Sequence, residues 1–221
     1  MNYKKVKQYW ENNNSKDHPD CDEKGYTHYA GRIKELISLT SNEDVLDVGC
    51  GEGLIDFHLK KHCKSLQGFD VTERKTSLAK KNNPEIKYWQ QSFLEEYKYK
   101  NFDKIFSFSV MQYCKPTDID NFLDNSFAAV KKEGTVFHLD VPDREKMKKY
   151  YFRPRKITIL KKMAALILYV QHLLNKNALL FMEGSYWHDL KKLKKKYEKK
   201  GIIVKINNAE SIYRSNIIFY M

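Results

Sequence analysis

The amino-acid sequence predicts an α/β protein in which seven strands form a mostly parallel sheet, with helices on both faces and a helical insertion after the fifth strand. Three observations support this fold class. Short apolar, β-prone runs alternate with segments of helical periodicity between residues 26 and 141, and such β-α repeats form parallel sheets through right-handed crossovers. A glycine-rich turn follows the first of these runs. Two further β-prone runs, at 201–206 and 213–220, complete the sheet, one of them antiparallel.

Length and cysteine content limit the classes of protein that the chain can represent. Its 221 residues suffice for one α/β domain with a substantial core. The four cysteines show no paired C-x-x-C spacing, so the sequence indicates neither a disulfide framework nor a metal site. The N-terminus has no apolar leader, and the longest apolar run, 163–170, is far shorter than the roughly twenty residues of a membrane span. We therefore expect a soluble, cytoplasmic protein.

The first elements are a polar arm, a helix and a buried strand. Residues 1–25 are irregular in pattern, whereas Tyr26–Leu39 has the single apolar stripe of a helix. Asp44–Val48 suits a strand buried on both faces. It leads into G-x-G-x-G at 49–53, which differs from the G-x-G-x-x-G of dinucleotide sites. An acid two residues before the first glycine, Asp47, suits a ligand with a cationic amine better than one with phosphates.

At this stretch the sequence resembles the class I S-adenosylmethionine-dependent methyltransferases, whose first motif is acidic-x-G-x-G-x-G after a hydrophobic strand. The resemblance covers 40–141 well, the C-terminal strands weakly and the insertion not at all. It implies a Rossmann-like cofactor-binding core at 40–141, methyltransferase activity, and S-adenosylmethionine as the cofactor. The contacts implied at the turn are Asp47, Gly49, Cys50, Gly51 and Gly53. Residues 1–39 would then form an arm and lid helix beside the cofactor, with lid candidates Tyr9, Trp10, Tyr26 and His28.

Further cofactor contacts are expected where the next three strands end. Ser65–Val71 is a predicted strand in which Asp70 precedes Val71, and a carboxylate there can accept two hydrogen bonds from a ribose diol. After a third strand, Ile86–Gln90, the resemblance implies adenine contacts from Ser92 and Phe93, although the family more often has an acid at position 92. A fourth strand, Phe102–Val110, brings Ser109 to the cofactor.

A basic helical segment follows the fifth strand. Asp118–Val130 is predicted as a helix and Thr135–Val141 as the strand, with a break at 132–134. Residues 142–200 add two predicted helices, Ile157–Leu174 and Leu190–Lys199, and from 144 to 200 the chain has 17 Lys and Arg against 4 Asp and Glu. We expect 142–200 to cap the acceptor site and 201–221 to complete the sheet.

Acceptor residues are expected at the ends of the fourth and fifth strands and in this insertion. Methyl transfer from a sulfonium is an in-line displacement, so the enzyme must align the reactants, and a hydroxyl acceptor also needs a general base. The candidate bases are His188, Asp140 and Tyr113. Arginine forks match phosphate and carboxylate groups. The candidates for binding a small, anionic or sugar-like acceptor are Arg144, Tyr151, Arg153, Arg155, Tyr186 and Trp187.

The favoured reaction is O-methylation of such a small molecule in bacterial surface-glycan or secondary metabolism, but other acceptors stay open. The basic segment could bind RNA, although the N-P-P-Y signature for planar amines and a cysteine pair for C5 attack are missing. The helix over 156–176, with lysines flanking its apolar run, could rest on an anionic membrane near a lipid-linked acceptor. The intact glycine motif argues against a non-enzymatic scaffold. The sequence does not predict the oligomeric state.

Overall fold

The structure is a computed structural model, and it describes residues 7, 8, 10, 11, 22–152, 159–174 and 185–221. The helices are α1 (Glu23–Leu36), α2 (Leu54–Leu59), α3 (Glu73–Asn82), α4 (Ile119–Ala129), α5 (Met147–Tyr151), α6 (Ile159–Leu174) and α7 (Leu190–Glu198). The strands are β1 (Asp44–Val48), β2 (Ser65–Asp70), β3 (Lys87–Gln90), β4 (Phe102–Phe108), β5 (Val130–Pro142), β6 (Ile203–Asn208) and β7 (Arg214–Tyr220).

The seven strands form one sheet in the order β3-β2-β1-β4-β5-β7-β6. β1 pairs in parallel with β2 and with β4, and β2 pairs in parallel with β3. β6 and β7 are neighbours joined by residues 209–213, and so short a connection can join only antiparallel strands. The predicted α/β fold class, a mostly parallel seven-stranded sheet, is confirmed. The strand order reverses at β1, and open α/β sheets bind ligands at the carboxyl ends of the strands beside such a switch point.

The chain forms two compact units. The first comprises residues 1–107, 121–137 and 220–221, and its core is built on β1 and β4. Val45, Leu46 and Val48 have no exposed surface, and neither have Ile105 and Phe106. Each such side chain contributes about 1.5 to 3 kcal/mol of hydrophobic stabilisation. The buried apolar side chains of β1 and β4 therefore form the base from which the turn after β1 projects.

The second unit comprises residues 108–120 and 138–219. Its basic helix α7 begins at Asp189, whose side chain accepts a hydrogen bond from the N–H of Lys192 at 2.9 Å. Leu190, Leu193 and Tyr197 recur at helical spacing and are buried. All five lysines of α7 lie at the remaining positions, so the positive charge of this helix lies on its outer face.

The segment after β5 holds α5, which the sequence analysis did not predict, and α6, which lies within the predicted helix 157–174, with 157 and 158 outside the described residues. The inner face of α6 packs against Met147 and Tyr151 of α5. Its opposite face carries a stripe of exposed apolar side chains, namely Ile159, Met163, Leu166, Ile167, Val170 and Leu174. None of the described helices has the length and apolar character needed to cross a membrane.

The predicted break between the fourth helix and the fifth strand is wrong. β5 begins at Val130 and continues through 132–134. Glu133 has a φ of 70°, so the chain does bend there, but strand pairing is kept: the N–H of Met221 donates to the carbonyl of Gly134 at 3.0 Å. The turn residues therefore bend the strand and do not end it.

Candidate active site

The turn after β1 presents open backbone at the carboxyl edge of the sheet. Gly49 and Gly51 have φ angles of 81° and 55°, a region that favours glycine. The N–H groups of Gly49 and Cys50 both donate to the carbonyl of Phe69, at 2.8 and 3.0 Å. The turn is thus held against β2, and the missing side chains at its glycines let a ligand approach the main chain closely.

Asp70 ends β2 beside this turn. Its Oδ2 accepts a hydrogen bond from the N–H of Gly51 at 3.3 Å, and its Oδ1 accepts from the N–H and the hydroxyl of Thr72 at 2.9 and 3.1 Å. Burial raises the pKa of Asp70, and these hydrogen bonds oppose the rise. Each carboxylate oxygen can accept more than one hydrogen bond, so capacity remains for ribose hydroxyls. The predicted ribose contact of Asp70, and that of the half-buried Val71, stay predictions.

Two buried carboxyl groups accompany the glycine turn. Asp47 of β1 is 4% exposed and Asp56 of α2 is fully buried. The two carboxyls lie close enough to interact with each other, and Oδ1 of each has no hydrogen-bond partner among the described residues. Tyr88 of β3 donates its hydroxyl to Asp56 Oδ2 at 2.9 Å. The sequence analysis identified Asp47 but missed Asp56 and Tyr88. One signal was available, because Asp56 precedes the buried Leu59 by three residues and therefore shares the inner face of α2.

Gly53, the last glycine of the motif, has a packing role. A Cβ at this position would lie 2.8 Å from Asn83 Nδ2 and 2.8 Å from the hydroxyl of Tyr88. Asn83 Nδ2 also donates to the carbonyl of Gly53 at 2.8 Å. The predicted cofactor contact of Gly53 stays a prediction, but its close approach to Asn83 and Tyr88 already requires glycine.

The residues predicted to contact adenine are buried in the first unit. Ser92 accepts a hydrogen bond from the N–H of Leu94 at 3.0 Å through its hydroxyl, which stabilises the turn after β3. The ring of Phe93 lies 4.8 Å from that of Phe122, so it belongs to the core. Both side chains are engaged inside the fold, and their adenine contacts stay predictions.

In the second unit, Asp140 lies in a closed ring of hydrogen bonds. Its Oδ2 accepts from the hydroxyl of Ser109 at 2.5 Å and from Arg214 Nη1 at 3.0 Å. The guanidinium also donates to the Asp140 carbonyl at 2.8 Å and, through Nη2, to Gln112 Oε1 at 2.8 Å. Gln112 Nε2 donates to the carbonyl of Ser109 at 2.7 Å, which closes the ring. The sequence analysis missed Arg214, since nothing in its local sequence indicates a partner.

The backbone at Ser109 and Asp140 is strained. Both residues have a φ of 56°, and such left-handed conformations cost non-glycine residues about 1 to 3 kcal/mol each. They are held in place by main-chain hydrogen bonds, from the Ser109 N–H to the Leu139 carbonyl at 3.1 Å and from the Asp140 N–H to Asn216 Oδ1 at 2.9 Å. Strained positions that the surroundings over-determine cluster at functional sites. The geometry therefore favours Ser109 and Asp140 among the predicted site residues.

The other two candidate bases occupy different environments. His188 is 2% exposed, and its Nε2 lies 2.9 Å from the carbonyl of Met111. A hydrogen bond to that carbonyl requires the proton on Nε2, so this nitrogen is a donor. Burial lowers the pKa of His188 to about 4. Tyr113 is half-buried and ends a 3₁₀ turn that begins at Met111. The catalytic roles of His188 and Tyr113 stay predictions.

The candidate acceptor-binding residues are only partly brought together. Trp187 lies 6.4 Å from Tyr151 between ring centroids, and burial raises the pKa of Tyr151 above its usual range. Tyr186 is buried. Arg144 is half-buried and donates its N–H to the carbonyl of His188 at 2.9 Å. Arg153 and Arg155 lie outside the described residues, as does the lid candidate Tyr9. Anion binding by this group stays a prediction.

The part of the chain that forms the first strands of the sheet matches a known protein family. Residues 45–134 match the family model described as "Methyltransferase domain". They form a class I S-adenosylmethionine-dependent methyltransferase domain. The predicted family, enzyme class and cofactor are thereby confirmed for this domain. Its residues fit the cofactor: the glycine backbone is open, and the buried carboxyl of Asp47 has an oxygen without a hydrogen-bond partner among the described residues.

Individual proteins similar to this methyltransferase domain include a ubiquinone biosynthesis O-methyltransferase from Pelagibacter ubique (strain HTCC1062), 30% identical over 110 residues. The alignment spans 48% of this chain and 45% of that protein, so the chain matches about half the length of this curated relative. Among solved structures, magnesium protoporphyrin IX methyltransferase from Synechocystis PCC 6803 with bound SAH is 12% identical, with a TM-score of 0.65 over 98% of this chain and 97% of that one. DesVI from Streptomyces venezuelae is 14% identical, with a TM-score of 0.59 over 89% and 92%. These structures support the fold.

Proposed function

We propose that the chain transfers the methyl group of S-adenosylmethionine to a hydroxyl group of a small acceptor. The observation that carries this proposal is the open glycine turn after β1 with the buried Asp47 beside it. When bound there, S-adenosylmethionine supplies a methyl group activated by its positive sulfonium. Asp47 contributes a carboxyl for the cofactor's cationic amino group, and Asp70 contributes acceptor atoms for its ribose.

Asp140 is the candidate general base that the geometry favours. Its carboxylate is held by Arg214 and Ser109, and its side chain keeps 21% of its surface exposed. It lies near the carboxyl end of β5, the edge at which open α/β sheets bind ligands. In the proposed step the acceptor oxygen bonds to the methyl carbon, the carbon–sulfur bond breaks with its electron pair going to sulfur, and the hydroxyl proton passes to Asp140.

The names of two similar proteins support a small-molecule acceptor. One is an O-methyltransferase of ubiquinone biosynthesis and the other a methyltransferase of magnesium protoporphyrin IX. The first name refers to the biosynthesis of a small organic molecule and the second to a small organic molecule, and this favours the predicted small acceptor over RNA. A role in surface-glycan or secondary metabolism and an anionic or sugar-like acceptor remain part of the proposal, as do the alternatives of an RNA acceptor and of a lipid-linked acceptor at a membrane.

The first experiment is a calorimetric titration of the purified chain with S-adenosylmethionine, S-adenosylhomocysteine and NADH. Binding of the two sulfur nucleotides, with no binding of NADH, is expected. Transfer of a labelled methyl group is then measured on a panel of phosphorylated sugars, phenols and short RNAs. Failure to bind either sulfur nucleotide would remove the proposal. Transfer to RNA with none to the small molecules would replace the acceptor.

A further inference from the structure

Among the described residues, no cation lies beside the buried carboxyls of Asp47 and Asp56 to balance their charge. The polar groups that face them are the hydroxyl of Tyr88, the thiol of Cys50 and the carboxyl of Asp70. Tyr88 in turn accepts a hydrogen bond from Asn83 Nδ2 at 3.3 Å. Each of these groups is neutral or adds negative charge, so none can balance two carboxylates.

Among the described residues, one lysine contacts these polar groups, through Asn83, and its charge is paired with a glutamate. Lys60 Nζ lies 3.5 Å from Asn83 Oδ1 and forms an ion pair with Glu85. Two carboxylates in contact, buried and without a cation, repel each other strongly, and such pairs hold one proton between them. The orphaned oxygens agree with this state: Oδ1 of each carboxyl is buried without a hydrogen-bond partner among the described residues, and a shared proton would supply the donor that two carboxylates lack.

We propose that Asp47 and Asp56 share one proton in the cofactor-free protein, and that the cationic amino group of S-adenosylmethionine expels this proton when it binds beside Asp47. The inference rests on the proposed function, since it assigns that amino group to Asp47. Asp56 is then a positioning residue. It does not touch the cofactor, but it keeps Asp47 neutral and hydrogen-bonded until a positive charge arrives.

The electrostatics of the pair agree with this assignment. Burial, followed by the charge of Asp56, raises the pKa of Asp47 well above its usual range, and burial raises the pKa of Asp56 to about 6. Burial also raises the pKa values of Cys50 and Asp70. An incoming ammonium reverses the balance, because an opposite charge favours the ionised carboxylate. Binding that releases a proton strengthens as the pH rises, by up to tenfold for each pH unit.

Calorimetry in buffers of different ionisation enthalpy measures this proton release directly. At about pH 6.5, S-adenosylhomocysteine is expected to release close to one proton. Methylthioadenosine has the same nucleoside and thioether but lacks the amino-acid part with its cationic amino group, so it is expected to release almost none. Asp56→Asn keeps the shape of the side chain and should release far less than the wild type. The matched control is Asp44→Asn at the other end of β1, where the carboxyl bonds Ser65 and Lys64, and it should release as much as the wild type.

The outcomes separate the two proposals. Absence of S-adenosylhomocysteine binding removes the proposed function. Binding whose heat is the same in every buffer overturns only the proton pair, as does equal release by wild type and Asp56→Asn. If Asp56→Asn fails to fold, Tyr88→Phe tests the same pair, because loss of the hydroxyl donor should shift the pH profile of affinity upward. Infrared spectroscopy of the ligand-free protein gives an independent test: a protonated carboxyl band is expected at about pH 6.5, and its absence contradicts the inference.

Discussion

Replacing Asp56 by asparagine is expected to stabilise the ligand-free protein at neutral pH. Burial raises the pKa of Asp56 to about 6, against roughly 3.9 for an aspartate in an unfolded chain. Because the folded value is the higher one, the folded state binds the proton more tightly, and stability is lost as the pH rises through the folded pKa. Each pH unit between the two values corresponds to about 1.4 kcal/mol, so the carboxylate lowers the free energy of unfolding by about 3 kcal/mol above pH 7.

Urea denaturation of the wild type and of Asp56→Asn near pH 7.5 and near pH 4.5 measures this effect. The variant should be more stable by about 3 kcal/mol at the higher pH and by only about 1 kcal/mol at the lower one, where the wild-type carboxyl is protonated in the folded state. Asp44→Asn is the control with the opposite sign, because its hydrogen bond from Ser65 lowers the pKa of Asp44. A gain for Asp56→Asn of the same size at both pH values would refute the reasoning, since a change in packing does not titrate.

Four further predictions test other parts of the molecule. Asp140→Asn should lower the methyl-transfer rate by about a hundredfold or more without changing the calorimetric affinity for S-adenosylhomocysteine, and an unchanged rate removes Asp140 as the base. Burial lowers the pKa of His188 to about 4, so the wild type should lose about 3 kcal/mol of folding stability as the pH falls from about 6.5 to 4. His188→Gln should remove this loss. Urea denaturation in which the variant loses as much stability in acid as the wild type contradicts this. Gly53→Ala should be more destabilising in urea than Gly201→Ala, because both positions have positive φ but only the Cβ at 53 meets atoms at 2.8 Å; equal losses exclude the clash. Ile167→Lys, on the exposed face of α6, should weaken co-sedimentation with anionic vesicles if the predicted membrane contact is real, and binding equal to wild type argues against it.

The parts of this molecule that local sequence could predict are those whose chemistry is set by near neighbours. The turn after β1 follows from glycines at alternate positions after an apolar run. The helix α7 follows from Leu190, Leu193 and Tyr197 at helical spacing. The stretch at 132–134 was predicted wrongly, because turn residues can separate two elements or only bend a strand, and the choice depends on pairing with Met221 far along the chain.

The missed residues depend on partners that are distant in sequence. Tyr88 reaches Asp56 across 32 positions, and Arg214 reaches Gln112 across 102. Composition and periodicity carry no information on such pairs. The position of His188 illustrates the same limit, since the sequence identified it as a candidate base but could not predict that the chain folds its imidazole onto the carbonyl of Met111.

The ring around Asp140 also has a consequence for how the protein is made. Ser109 and Asp140 are 31 positions apart, and Asp140 and Arg214 are 74 apart. A ribosome must therefore complete β7 before the guanidinium can hold Asp140, and until then the left-handed backbone at Ser109 and Asp140 lacks one of the contacts that stabilise it. Because closing long loops costs entropy before any contact rewards it, this ring should be among the last parts of the fold to form. Nascent chains that already contain a folded β1 to β4 would still lack an ordered Asp140.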